Sequence, residues 1–347
     1  MSGRHARTAL LLSVVLAVVA AALVAVGRED DEDRCAPDEH LVPRCGAWWG
    51  AYVPYDANGS LTAPVYAFEK KLGRRLDLVY TYHDMSGKPL DGELLTPDER
   101  ELGRDRLLML AWESTVWKEP HHANWTETQL GWKNIASGKY DETLVDPQAR
   151  RLKAYGKRVF FSFDQETDFR IKEGAGTPEE YVAAYRHIHD RFRELGVTNV
   201  VWVWTVSGYL GHADAMKRLY PGDAYVDWIG MDQYNYYLCH KSPNWLDFEQ
   251  SQRPSYEWLR REISSRKPLM AAEFATAPDP ARPERHRDWY AKIPQAAPEL
   301  PSLRALVHWN RPVPGPGCDL TVNAGPGLEG YREAGKADYF HQPVPKR

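Results

Sequence analysis

The chain predicts a closed (β/α)8 barrel of the TIM type, a single domain with an enlarged loop after the third strand. Two observations carry that expectation. Eight strand-like apolar runs recur along the chain, and amphipathic stretches with helix caps lie between them. The runs are rich in Val, Ile and Leu, as strands buried on both faces are, which is the habit of parallel sheets covered by helices. A chain of 347 residues has room for such a barrel, which takes roughly 250. The alternative, a doubly wound open sheet, lacks its Gly-rich phosphate loop after the first strand.

In chain order, residues 1–27 form a separate object. Arg4 and Arg7 precede a nearly unbroken apolar run over residues 9–26, and an acidic cluster from Glu29 to Asp33 follows, a charge order that directs export. The run is longer than the ~7–15 residues of an ordinary leader core and close to the ~20 that span a bilayer. A cleaved signal peptide and an uncleaved signal anchor both fit. Either way the folded part is expected outside the cytoplasm, secreted or tethered to the membrane through residues 9–26. Residues 28–45, acidic and poor in large apolar residues, read as a tether, and residues 46–347 as the catalytic domain. Cys35, Cys45, Cys239 and Cys318 are an even set in an exported chain; of three pairings, Cys35–Cys45 as a short clip and Cys239–Cys318 as a link between distant loops are favoured.

The strand runs are Gly46–Val53, Leu76–Tyr82, Arg106–Trp112, Arg158–Phe163, Asn199–Thr205, Val226–Asp232, Pro268–Phe274 and Leu303–Trp309. Thr96-Pro97-Asp98-Glu99 and Thr177-Pro178-Glu179-Glu180 each supply an N-cap, a proline at the first helical position and first-turn acids, and a further helix is expected from Ser255 to Arg266. The stretch from Glu113 to Tyr155, with Trp117, His121, His122, Trp125 and Trp132, is too long for one loop and helix and implies an insertion at the barrel mouth.

In such barrels catalytic groups stand at the C-terminal strand ends. The fourth run ends in Asp164-Gln165-Glu166, the sixth in Asp232-Gln233-Tyr234-Asn235, the seventh in Glu273-Phe274 and the eighth in His308-Trp309-Asn310. A lone strand-end Glu ordinarily caps a helix or pairs with a cation. Two of them, facing each other from the fourth and seventh strands, are what hydrolysis of a glycosidic bond requires: one acid to protonate the leaving oxygen and one carboxylate to attack the anomeric carbon. Thirteen Trp and 19 Tyr fill the core or offer flat faces to sugars, and Trp112 at the end of the third strand joins Asn235 as a candidate substrate contact.

The chain resembles glycoside hydrolase family 26, of the clan of retaining (β/α)8 enzymes that includes β-mannanases. The resemblance runs from about Gly46 to Asn310 on Phe-Ser-Phe-Asp-Gln-Glu-Thr-Asp at 161–168, Val-Trp-Val-Trp-Thr at 201–205, the Tyr-Pro-Gly-Asp to Tyr-Asn run at 220–235, and Ala-Ala-Glu-Phe at 271–274. It implies Glu166 as general acid/base, Glu273 as nucleophile, Tyr234 as a hydrogen-bond partner of the nucleophile, and Trp309 as an aromatic floor under the cleaved sugar. Family mannanases usually carry His just before the acid/base; here Gln165 stands there, which can donate and accept but carries no charge.

The expected function is thus an exported retaining hydrolase of β-linked polysaccharide, of mannan, glucan or xylan type, without cofactor or metal. A glycan-binding protein derived from a hydrolase and no longer active is the alternative, against which both acids are present. The net charge of -4 and the absence of a Lys/Arg run interleaved with aromatics argue against nucleic acid as a partner. His187 and His189, two apart on a helix, do not share a face and do not suggest a metal site.

Overall fold

The computed structural model describes residues 34–120, 127–239 and 242–345. The leader or anchor, the start of the acidic tether, His121, His122, Asn124 and Trp125 therefore lie outside the described residues. Ten strands form: β1 (Trp48–Tyr52), β2 (Leu78–Asp84), β3 (Leu107–Glu113), β4 (Thr115–Trp117), β5 (Glu127–Gln129), β6 (Val159–Phe163), β7 (Val200–Val206), β8 (Trp228–Asn235), β9 (Leu269–Thr276) and β10 (Leu303–Trp309). Eight of them close a parallel barrel in the order β1-β10-β9-β8-β7-β6-β3-β2. Each overlaps one of the eight runs expected from sequence, and β8 continues three residues further, to Asn235, because its polar end still pairs with β9.

The side-chain period of two divides each strand between two apolar layers. Leu78, Tyr80, Met109, Phe160, Val201, Val203, Trp228 and Met270 fill the barrel, while Leu108, Leu110, Trp112, Phe161, Trp202, Trp204 and Ile229 face outward beneath the helices. One strand breaks the alternation. Between Ala271 and Phe274, β9 has one residue more than both neighbours: Leu306 and His308 of β10 pair with Ala271 and Phe274, and Met231 and Asp232 of β8 pair with Ala271 and Glu273. Such a bulge re-aims the side chains beyond it. Without it Glu273 would share the outward parity of Ala271.

The bottom of the barrel is closed by the start of the described chain. Cys35 and Cys45 are bonded, Leu41 is buried among the interior side chains, and the Trp48 and Trp228 indoles donate to the Leu41 and His40 carbonyls, each at 2.7 Å. Residues 35–45, read from composition as part of a tether, are thus packed against the fold. The second disulfide, Cys239–Cys318, joins the loops that follow β8 and β10. The insertion after β3 is present. An antiparallel ribbon of β4 and β5 opens it, and the helices Trp132–Ala136 and Asp146–Tyr155 complete it. Among the described residues no helix is long and apolar enough to cross a membrane.

Both threonine caps form capping boxes, on the helices Pro97–Leu102 and Pro178–Glu194. The helix expected from Ser255 begins instead at Phe248, because Asp247 and Gln250 make a third box upstream and Pro254 is accommodated inside. Glu99, the third residue of its helix, does more than cap. It accepts from Thr81 Oγ1 at 2.5 Å and pairs at 2.7 Å with His83 Nε2 on β2, with neither side chain exposed. Burial pushes His83 down, but the Glu99 charge and carbonyls at Nδ1 outweigh it and leave it above its usual value; burial pushes Glu99 up, and His83 with Thr81 and the Thr96 N–H bring it net below.

Stability from the raised histidine is complete below about pH 6.5 and fades as pH climbs through its folded value. The contribution from the lowered carboxylate is lost only as pH falls below about 4.3. His83→Ala, which strands a buried carboxylate, is expected to cost about 3–5 kcal/mol by urea denaturation at pH 6, with the deficit narrowing as pH rises.

Candidate active site

A cleft of about 710 Å³ opens at the C-terminal ends of the strands. Glu166 and Glu273 both line it, with Gln165, Tyr234 and Trp309 beside them. The structure adds neighbours that sequence reasoning did not single out: Tyr52, Tyr82, Glu113, Arg170, Tyr236 and Arg311.

Glu273 is buried on β9, turned inward by the bulge. Its Oε1 accepts from the Tyr82 hydroxyl at 2.6 Å, and its Oε2 accepts from the Tyr234 hydroxyl. Tyr82 is held in place by an aromatic corner. Tyr52 stacks on Trp309 with centroids 4.5 Å apart, and Tyr82 stands edge-on to both. Burial raises the Glu273 carboxyl, the two phenols pull it back, and Glu113 adds a smaller upward push, for a value of about 7.

Glu166 follows β6 on a sharp turn in which Asp164 and Glu166 both have left-handed backbones, at φ 57° and 51°. That turn brings its carboxyl over the cleft. Burial raises it well above the ordinary range, and the charge on Glu273 raises it further. The two phenolic donors favour the charged form of Glu273, and Glu166 is raised with no such donors among the described residues. Asp232, paired across β8 with Glu273, is buried and raised by the same causes.

The Glu166 turn is braced by Arg170 in the short helix Thr167–Arg170. This buried guanidinium lies 3.1 Å from Glu113 at the end of β3, 3.0 Å from Asp164 and 3.0 Å from Glu127 in β5. Burial alone would lower Arg170, but these carboxylates hold it firmly protonated. Gln165 donates its amide to Glu113, so its side chain is oriented by the same network. Asp168 reaches the loop after β7, accepting from the Ser207 N–H at 3.0 Å and pairing with His212 Nδ1 at 2.9 Å.

Two residues expected at the site are elsewhere. Trp112 sits one residue before the inward-facing Glu113; it is buried beneath the helices and donates to the Asp84 carbonyl at 3.0 Å. Asn235, next to the inward Tyr234, bonds Thr276 Oγ1 at 2.9 Å and receives the Leu246 N–H at 3.1 Å, pinning a loop. In both cases the neighbour of opposite parity faces the cleft. Glu113 and Tyr82 could have been found by extending that period to the strand ends. Arg170 carries no such signal.

Removing either phenol deprives the Glu273 carboxylate of a charge-assisted donor. Tyr82→Phe and Tyr234→Phe are each expected to raise the pH at which Glu273 ionises by about one unit, followed by carboxyl carbon-13 NMR.

Residues 160–249 match the model of glycosyl hydrolase family 26. Over 251 residues, 67% of this chain, the sequence is 30% identical to Endoglucanase H of Acetivibrio thermocellus, of which it covers 24%. Over 143 residues, 41% of this chain, it is 30% identical to Beta-1,3-xylanase TXYA of a Vibrio species, of which it covers 28%. The chain thus spans about a quarter of the length of these curated relatives. The crystal structure of a ruminal GH26 endo-beta-1,4-mannanase matches 85% of this chain and 64% of its own, with a TM-score of 0.59 at 16% identity, a likeness of fold. With the closed barrel, and with a matched segment that holds the β6 and β8 strand ends, the chain belongs to glycosyl hydrolase family 26.

Proposed function

We propose that the chain is an exported retaining hydrolase of β-linked polysaccharide, in which Glu166 is the general acid/base and Glu273 the nucleophile. The observation that carries this is the asymmetry of the pair: Glu273 grasped by two phenols, Glu166 raised beside it without them. A proton on Glu166 and a charge on Glu273 are the starting state for double displacement. In the first step a Glu273 oxygen bonds the anomeric carbon as the glycosidic C–O bond breaks, and the Glu166 proton passes to the leaving oxygen. Glu273 is then an uncharged ester, so the push on Glu166 relaxes and its carboxylate takes a proton from water as that water displaces the ester. Trp309 offers a flat face for the sugar, and Gln165 a polar edge.

A β-glucan is the first substrate to try, since the longest curated match is to an endoglucanase; xylan and mannan follow. Export is supported by the two disulfides, which persist in oxidising compartments.

Reducing-end release from mixed-linkage β-glucan, β-1,3-xylan and β-1,4-mannan tests the reading. Glu273→Ala is expected to lose nearly all turnover while still binding, with activity partly restored by azide; wild-type rates in that variant would sink the assignment. The profile of kcat/KM should fall below about pH 7, as Glu273 takes up a proton, and fall again at higher pH as Glu166 loses its own.

A further inference from the structure

We propose that Phe169 and Tyr209 form a sugar-binding platform on the leaving-group side of the cleft. The proposal rests on the hydrolase reading above. The acid must reach the leaving oxygen, so the departing sugar lies against the Glu166 loop. Phe169 lies three residues beyond Glu166 and lines the cleft; Tyr209 follows β7, the next strand around the barrel. Tyr209 is 58% exposed, more than any other large apolar side chain among the described residues, and Phe169 is 38% exposed.

These exposed rings are nevertheless held. The His212 imidazole stands between them, 4.7 Å from Phe169 and 5.1 Å from Tyr209 by centroids, edge-on to both. Its Nδ1 faces Asp168 at 2.9 Å and its Nε2 faces Lys172 Nζ at 2.9 Å, partners that fix the orientation of the ring. The Tyr209 N–H bonds Ser207 Oγ at 3.1 Å, and its ring lies so close on Gly211 that a Cβ there would come within 2.4 Å of it. A fixed row of exposed aromatic rings that starts at the cleft-lining Phe169 suits a ligand with apolar C–H faces and a polar rim. A carbohydrate ring has both, and Glu173, which lines the cleft with its side chain half exposed, stands at the edge to meet its hydroxyls.

Two variants test the platform without touching the acids: Tyr209→Ala deletes the ring, and Gly211→Ala displaces it. The substrates are the three polysaccharides above and a 4-nitrophenyl β-glycoside, whose leaving group ends at its first ring. Both variants should lower kcat/KM on the cleaved polysaccharide on the order of threefold to tenfold and leave the aryl glycoside unchanged. Unchanged rates on both substrates, or equal losses on both, would overturn the platform while wild-type turnover keeps the hydrolase standing. If the wild-type protein cleaves none of them, the hydrolase reading itself fails. Retardation in gels containing the same polysaccharides then decides the platform, which equal mobility of wild-type and Tyr209→Ala overturns.

Discussion

Two tyrosine hydroxyls, one from β2 and one from β8, grip the two oxygens of Glu273, and the chemistry of the cleft depends on that grip. A carboxyl buried among aromatic rings holds its proton unless donors stabilise the charge. Here the donors pull the Glu273 carboxyl back to about 7, while Glu166, which lacks them, stays well above the ordinary carboxylate range. Neither phenol would be in place by itself. Tyr82 is wedged by the Tyr52–Trp309 stack, and Glu273 reaches both phenols only because β9 carries an extra residue that turns it inward.

The second support is Arg170. Two left-handed residues, one on each side of Gln165, cost on the order of 1 kcal/mol or more each, so the Glu166 turn needs an external brace. Arg170 supplies it by binding Glu113, Asp164 and Glu127, from three separate pieces of chain. One of these, Glu127, comes from the ribbon in the insertion after β3. The enlarged loop is therefore coupled to the geometry of Glu166 and Gln165, and does more than widen the cleft mouth. Both supports work by removing freedom: Tyr82 is wedged by its ring neighbours and Gln165 is oriented through Glu113.

The architecture was legible to a high degree because a barrel strand buried on both faces writes itself as an apolar run, and a helix start writes itself as a cap. The eight strands and both threonine caps follow from such local signals, and the two disulfides are the favoured one of three possible pairings. The helix that starts at Phe248 was expected only from Ser255, although Asp247 and Gln250 supply the same capping box upstream. The cleft was legible where acids end apolar runs, since Glu166 and Glu273 both line it. Trp112 and Asn235 also end strands but have the parity that turns them away from the cleft.

The sequence by itself determined the barrel and the two carboxylates at opposite strand ends, since each of these is a local pattern of residue type and spacing. Only the tertiary structure decided which of the two acids is given phenolic donors, which face of β9 carries Glu273, and what braces the Glu166 turn. Those outcomes depend on contacts between residues as far apart as Tyr82 and Glu273, and on one added residue in a strand. A bulge leaves the apolar run unchanged, and a hydrogen bond across the barrel has no spacing along the chain to betray it.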